Sequence, residues 1–350
     1  MSLPSYVGVW KGRDFLNTQD YTQEEIHAIL NAADDLRNKF RSMVPTPYLP
    51  GRTVFLMFYN ESLRTRNSME AGIFQLGGHA HFIRASDVYT PTLPEDRVPY
   101  KTEDISDVAR VLSRFGQAIA IRMYADAAKW IIGRSNKIIG LFAKHATIPV
   151  INMEDDMYHP LQALADMQAA RTVKPKLNGK KFVMSYAYSG GLKPLAVPQS
   201  TVLAATQMGM EVVIAQPKGF ELDDRVVKAA QENANRYGGS FKVEYDMKTA
   251  FEGATFVYPK AWSPKEFMEP YGPKTDPDAA KQYQAKYKDW KVSMDLLEKS
   301  GNPYYMHCGP ADRGQEVDDE VLDSYENSLY FDEAENRLHP EKAAMSMIMP

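Results

Sequence analysis

The chain has 350 residues, 44% of them hydrophobic, enough to bury a large core and to form two domains. Its formal net charge of −4 excludes an overall basic surface of the nucleic-acid-binding kind, and its one cysteine, Cys308, excludes an internal disulfide framework. No run approaches the roughly 20 apolar residues of a membrane span, and residues 1–15 carry no signal-type apolar core, so a cytoplasmic protein is expected.

In chain order, Thr22 with Glu25 three positions later forms a capping-box pattern and predicts an amphipathic helix reaching residue 40. Residues 53–59 (TVFLMFY) are a short apolar run of buried-strand type. A polar turn at Asn60-Glu61-Ser62 follows, then a helical stretch that should stop at Gly77-Gly78. Strands are expected at 118–121 and 148–151, with helices between. After His159 the alternation restarts, with strands expected at 181–186, 211–215, 241–245, 255–258 and 304–306 and a helix over 223–237. Strands separated by helices imply crossover connections, hence an α/β fold of two parallel-sheet domains. The join is expected near 155–168, which gives a first domain of residues 1–155 and a second of 156–332. The closing segment 333–350, read as one helix over 333–349, is expected to pack back on the first domain. The Pro-, Gly- and Lys-rich stretch 263–282 reads as a long loop.

Chemistry concentrates first at Ser62-Leu63-Arg64-Thr65-Arg66, between a buried strand and a helix. Such a turn points backbone N–H groups and the positive end of a helix dipole at one spot, which suits an anion. Ser62 and Thr65 add hydroxyl donors, and Arg64 adds a planar fork matched to phosphate oxygens. Taken alone, the pattern fits a phosphate site, a carboxylate site, or an ordinary first turn with Ser62 as its N-cap. Arg122 ends a strand-like run, where a buried cation is costly unless it meets an anion. Cys308 has no neighbouring His/Asp pattern that would make it a nucleophile. No carboxylate sits with His or Cys at metal-ligand spacing, so neither metal nor other cofactor is expected. The Gly-rich fingerprints of nucleotide-dependent enzymes are absent as well, Ser189-Gly190-Gly191 being no substitute.

Four motifs in order resemble the aspartate/ornithine transcarbamylase family. Ser62-Leu63-Arg64-Thr65-Arg66 is similar to its carbamoyl-phosphate signature, and His159-Pro160-Leu161-Gln162-Ala163-Leu164-Ala165-Asp166 to its His-Pro-x-Gln-x-Leu-Ala-Asp motif. His307-Cys308-Gly309-Pro310 resembles His-Cys-Leu-Pro, and Glu335-Asn336-Arg337 the late Glu-x-Arg element. The resemblance implies carbamoyl transfer from carbamoyl phosphate to a small amine or amino acid, with no nucleic-acid or membrane partner. Ser62, Leu63 (through its backbone), Arg64 and Thr65 would hold the phosphate, while Thr65, Arg122 and His159 would polarise the carbonyl. Gln162 and the carbonyls of Cys308 and Gly309 would receive the carbamoyl NH2, and Arg337 would close the site. A non-catalytic homologue that binds carbamoyl phosphate or another small anion is the alternative.

Within the family, Val257-Tyr258-Pro259-Lys260-Ala261-Trp262 and the loop 193–200 resemble the N-acetylornithine/N-succinylornithine branch. That likeness implies a knotted second domain, with Glu154 and Lys260 as second-substrate contacts. It also implies a homotrimer in which the segment 85–101, with Tyr89, reaches a neighbouring subunit's site. Two departures stand out. Glu316 falls where that branch has a functional lysine, which would repel a substrate carboxylate, and Gly309 replaces a leucine, which would loosen the loop. With Asp312 nearby, these changes point away from acetylornithine and toward a cationic or differently acylated amine.

Overall fold

The computed structural model describes residues 3–349, which divide into two compact units. Among the described residues, the first comprises 3–128, 133–164 and 337–349, and the second 129–132 and 165–336.

The first unit opens with α1 (Gln23–Arg41), whose capping box is complete in both directions. Then come β1 (Thr53–Phe58), α2 (Leu63–Gln75) and β2 (His79–Arg84). Two short strands, β3 (Thr90–Thr92) and β4 (Thr102–Asp104), pair with each other. α3 (Ile105–Leu112), β5 (Ala118–Arg122), α4 (Arg134–His145) and β6 (Val150–Glu154) follow, and α5 (Pro160–Val173) begins here. The main sheet runs β2-β1-β5-β6, all parallel. Strands β1, β5 and β6 are buried almost throughout, as a sheet covered by helices requires. Phe55, Ile119, Ile121, Phe142 and Val150 share one core cluster.

The second unit contains β7 (Lys181–Tyr186), α6 (Ala196–Gln207), β8 (Glu211–Ala215), α7 (Asp224–Tyr237) and β9 (Ser240–Glu244). It continues with α8 (Met247–Phe251), β10 (Phe256–Lys260), α9 (Pro277–Gln284), α10 (Met294–Lys299) and β11 (Tyr304–Tyr305), then α11 (Asp319–Asp323) and α12 (Tyr330–Glu335). Its parallel sheet has the order β11-β10-β7-β8-β9. Val183, Val213, Phe251, Val257 and Tyr305 pack in its core. The chain closes with α13 (Leu338–Ile348), which packs on α1 and α2 of the first unit.

Several expected elements differ from the observed ones. β2 was not foreseen: it is an edge strand with half-exposed alternating residues, not an apolar run. β6 starts at Val150 rather than 148, because Pro149 has no N–H to give a ladder; its carbonyl still accepts from Ile119. The stretch read as a loop over 263–282 holds the start of α9, capped by Asp276 with Pro277 as its first residue. The single helix expected over 333–349 is broken into α12 and α13, since Pro340 cannot donate back to Asn336.

In both sheets the chain leaves a central strand in opposite directions. β1 and β5 flank that switch in the first unit, and β7 and β10 flank it in the second. Crevices at the carboxyl ends of strands beside such a switch are where open α/β sheets bind ligands.

Candidate active site

The first unit places its polar residues at this position. Ser62 caps α2, its Oγ accepting the Thr65 N–H at 3.1 Å, so the turn after β1 aims the first amides of a 13-residue helix outward. Leu63 is exposed and Arg64 half-buried at this turn. Arg66, the second arginine of the motif, is used on the outer side: it pairs with Glu70 at 2.9 Å and stacks 3.6 Å over Phe82.

Arg122 ends β5 and Glu154 ends β6, at a register shift that sets the two side by side. Their side chains form a buried ion pair. Arg122 also reaches the Thr65 hydroxyl at 3.4 Å and the Tyr124 hydroxyl at 2.8 Å. Arg337, at the start of α13, donates to the same Thr65 Oγ1 at 3.0 Å and to Gln162 Oε1 at 3.0 Å. Glu341, one turn further on α13, holds that guanidinium through Nη2 at 2.9 Å. Burial pushes the Glu341 carboxyl up to about 7, against the pull of Arg337.

His159 is positioned by the turn before α5, where buried Asp155 accepts the N–H groups of Met157 and Tyr158 at 2.7 and 2.6 Å. Burial, with Asp156 beside it, pushes Asp155 up to about 8. The His159 Nε2 lies 3.7 Å from Glu154. Burial, then Arg337 and Arg122, hold its pKa well below the usual histidine value, so the imidazole is neutral at pH 7. A neutral imidazole still carries one N–H and can donate a hydrogen bond without adding charge.

Thr65, Arg122, Glu154, His159, Gln162 and Arg337 are thus brought together. Tyr89 stands apart, exposed between β2 and β3. Sequence reasoning did not single out Tyr124 or Glu341; Glu341 lies four residues after Arg337, the spacing of one helix face, which was the available signal. Glu154, expected at the second substrate, forms an ion pair with Arg122.

In the second unit, Lys260 ends β10 and is almost wholly buried, 3.1 Å from Glu316. Glu316 is fully buried and multiply bonded. It accepts the Ala261 N–H at 2.6 Å and the Asp312 N–H at 2.7 Å, and lies 3.2 Å from His307 Nε2. Burial raises its pKa, but Lys260 and His307 outweigh that and hold the carboxyl well below the usual range. The expected repulsion of a substrate carboxylate by Glu316 is therefore replaced by an internal ion pair with Lys260. Gly309, expected to loosen its loop, has φ 62, a left-handed conformation that glycine adopts without strain. Its N–H donates to His307 Nδ1 at 2.8 Å. Cys308 is buried, and burial pushes its thiol up to about 12, which leaves it protonated and not nucleophilic. Asp312 and Lys193 pair at 3.1 Å and are partly exposed, and Ser189 Oγ donates to Asp312 at 2.6 Å. Among the described residues no group of His, Cys, Asp or Glu is placed to hold a metal ion, and no helix is long and apolar enough to cross a membrane.

Comparison with known proteins gives the chain a family. Residues 13–172 match the aspartate/ornithine carbamoyltransferase carbamoyl-P binding domain, and residues 184–348 match the Asp/Orn binding domain of the same family. An ornithine carbamoyltransferase of Thermococcus kodakarensis is 36% identical over 339 residues, covering 97% of this chain and 96% of that protein. An N-acetylornithine carbamoyltransferase of Xanthomonas campestris is 36% identical over 346 residues, covering 96% and 98%. Among solved structures, acetylornithine transcarbamylase complexed with acetylcitrulline superposes with a TM-score of 0.89 at 34% identity, over 97% of this chain and 99% of that one. The chain belongs to the aspartate/ornithine carbamoyltransferase family. It is a carbamoyltransferase of the ornithine or N-acetylornithine type.

Proposed function

We propose that the enzyme transfers the carbamoyl group of carbamoyl phosphate to the amine of an ornithine-type acceptor, giving a ureido product and phosphate. The observation that carries this reading is the bonded cluster of Arg122, Arg337, Thr65, Gln162 and neutral His159 at the capped start of α2. In this reading the phosphate rests on the first-turn amides of α2, with Ser62, the Leu63 backbone, Arg64 and Thr65 as further donors. Thr65, Arg122 and the His159 N–H stabilise the charge that develops on the carbonyl oxygen as a neutral amine attacks the carbon. The C–O bond to phosphate then breaks, phosphate leaves with the bonding pair, and the amine releases a proton. Gln162 receives the carbamoyl NH2, and the Cys308 and Gly309 carbonyls are acceptors for substrate N–H groups in the second unit, so the protein's work is positioning and charge stabilisation.

For the acceptor, Lys260 is engaged by Glu316 and Glu154 by Arg122. Asp312, whose N–H is bonded to Glu316, forms a partly exposed pair with Lys193. A pair of opposite signs suits a head group that bears both an ammonium and a carboxylate, as in a free diamino acid, better than an N-acylated one. The exposed Tyr89 segment supports a homotrimer in which residues 85–101 serve a neighbouring subunit. The test is a ureido-product assay with carbamoyl phosphate and a panel of ornithine, N-acetylornithine, N-succinylornithine, 2,3-diaminopropionate, putrescine, agmatine and aspartate. Turnover with a free diamino acid supports the proposal. Preference for an N-acylated acceptor by a wide margin overturns the acceptor assignment, and no product from any amine overturns the carbamoyl reading. Mass measurement in solution checks the trimer.

A further inference from the structure

We propose that Glu333 and Asp166, hydrogen-bonded carboxyl to carboxyl, are positioning residues that hold the His307–Pro310 turn in the form carbamoyl transfer uses; this rests on the function proposed above.

Both groups are wholly buried, Glu333 on α12 and Asp166 on α5, and they face each other within hydrogen-bond reach. The Tyr258 hydroxyl sits against both, 3.1 Å from Glu333 Oε1 and 3.4 Å from Asp166 Oδ1. Thr201 donates to Asp166 Oδ2 at 2.6 Å. The remaining oxygen of Glu333, Oε2, accepts the backbone N–H of His307 at 2.9 Å. That peptide leads directly into Cys308 and Gly309, and the His307 ring is stacked on Tyr258 with 14° between planes. The turn is therefore held from two sides: Glu316 takes the imidazole and Glu333 takes the peptide.

Two buried carboxyl groups in contact need one proton between them, since two ionised groups there would repel at low dielectric. Each carboxyl has one oxygen committed as an acceptor, Glu333 Oε2 from His307 and Asp166 Oδ2 from Thr201, so the shared proton lies between Glu333 Oε1 and Asp166 Oδ1, beside Tyr258. Burial and Asp166 push Glu333 well above the ordinary carboxyl range, in keeping with this. The titratable groups around the pair are Tyr258 from β10, Tyr305 from β11, and Cys308 and His307 from the turn. Burial raises both tyrosines and the thiol, while Lys260 and Glu316 stay locked as an ion pair. Loss of the pair's proton would leave two buried charges in contact, whose repulsion loosens the turn.

Glu333→Gln is the informative variant. Its amide nitrogen replaces the protonated oxygen facing Asp166, and its carbonyl keeps the bond from His307. Glu333→Leu removes both contacts. Hydrogen exchange of the backbone amides over residues 306–309 should be as slow in the Gln variant as in wild type and at least tenfold faster in the Leu variant. In the ureido assay, wild type should show an alkaline fall in kcat/KM for carbamoyl phosphate, and Glu333→Gln should retain activity within about threefold at pH 7 and lose that fall. Glu333→Leu should raise KM for carbamoyl phosphate at least tenfold. Unchanged exchange and kinetics in a folded Leu variant would overturn the proposal. So would a Gln variant as damaged as the Leu one, or one that keeps the alkaline limb. If the Leu variant does not fold, the Gln comparison across pH decides. A wild-type protein with no carbamoyl transfer would sink the function reading instead, and the exchange measurement would still test the anchor.

Discussion

In the first unit the strand-order switch between β1 and β5 is occupied by cations and hydroxyls, with Arg122, Arg337 and Thr65 bonded together. In the second unit the corresponding switch between β7 and β10 carries Lys260, with its ammonium turned to a buried Glu316. The same topology thus serves two electrostatic ends. The first site keeps net positive character at a helix N-terminus, as a small doubly charged anion needs. The second spends its charges internally, on fixing the Tyr258–Ala261 and His307–Asp312 segments to each other. The lesson concerns Glu316: a charge reversal read from sequence as a change in what the site repels is, in three dimensions, a structural lock.

The contrast between the two switches fails if the first unit's cations are dispensable. Arg64→Ala removes a fork from a half-exposed turn and should leave the fold intact. We expect kcat/KM for carbamoyl phosphate to fall by about a thousandfold, roughly 4 kcal/mol of transition-state stabilisation. Steady-state kinetics with a melting curve checks this, and near-normal turnover would remove Arg64 from the site.

A second test concerns the lock. Glu316→Gln leaves the Lys260 ammonium buried without its counter-charge, which typically costs about 3–5 kcal/mol. Denaturant unfolding should show that loss, and Lys260→Met combined with Glu316→Gln should recover a good part of it. A stable single variant would mean the pair holds nothing in place. Because the folded Glu316 pKa lies below the unfolded one, its contribution is complete above about pH 4.3. It is lost as pH falls toward the depressed folded value.

The smallest expected effect is a missing one. His159 is held neutral, its folded pKa well below that of a free histidine. The kcat profile should therefore show no inflection near pH 6.5 that His159→Asn removes. An acidic limb in that range, abolished by the substitution, would contradict the neutral-donor role.

Much of the fold was legible because buried parallel strands are apolar runs, so 53–58, 118–121, 181–186 and 211–215 announced themselves. β2 did not, since an edge strand reading His-Ala-His-Phe-Ile-Arg lacks that signal. Arg122 was legible from the cost of a cation at a strand end, and its partner Glu154 came from the neighbouring strand. The lock was not, because Lys260 and Glu316 lie 56 residues apart and only the fold brings β10 to the Asp312 turn. Glu333 and Asp166 were hidden for the same reason: each sits in a helical stretch that gives no hint of the other.

The place where carbamoyl phosphate binds is the central question. Isothermal titration of the intact protein with carbamoyl phosphate, in wild type, Arg64→Ala and Glu316→Gln, measures this directly. The account predicts saturable binding in wild type, loss of at least a hundredfold in affinity for Arg64→Ala, and a change of less than about fivefold for a folded Glu316→Gln. Equal affinity in wild type and Arg64→Ala, or loss confined to Glu316→Gln, would contradict the assignment of the anion site to the first unit.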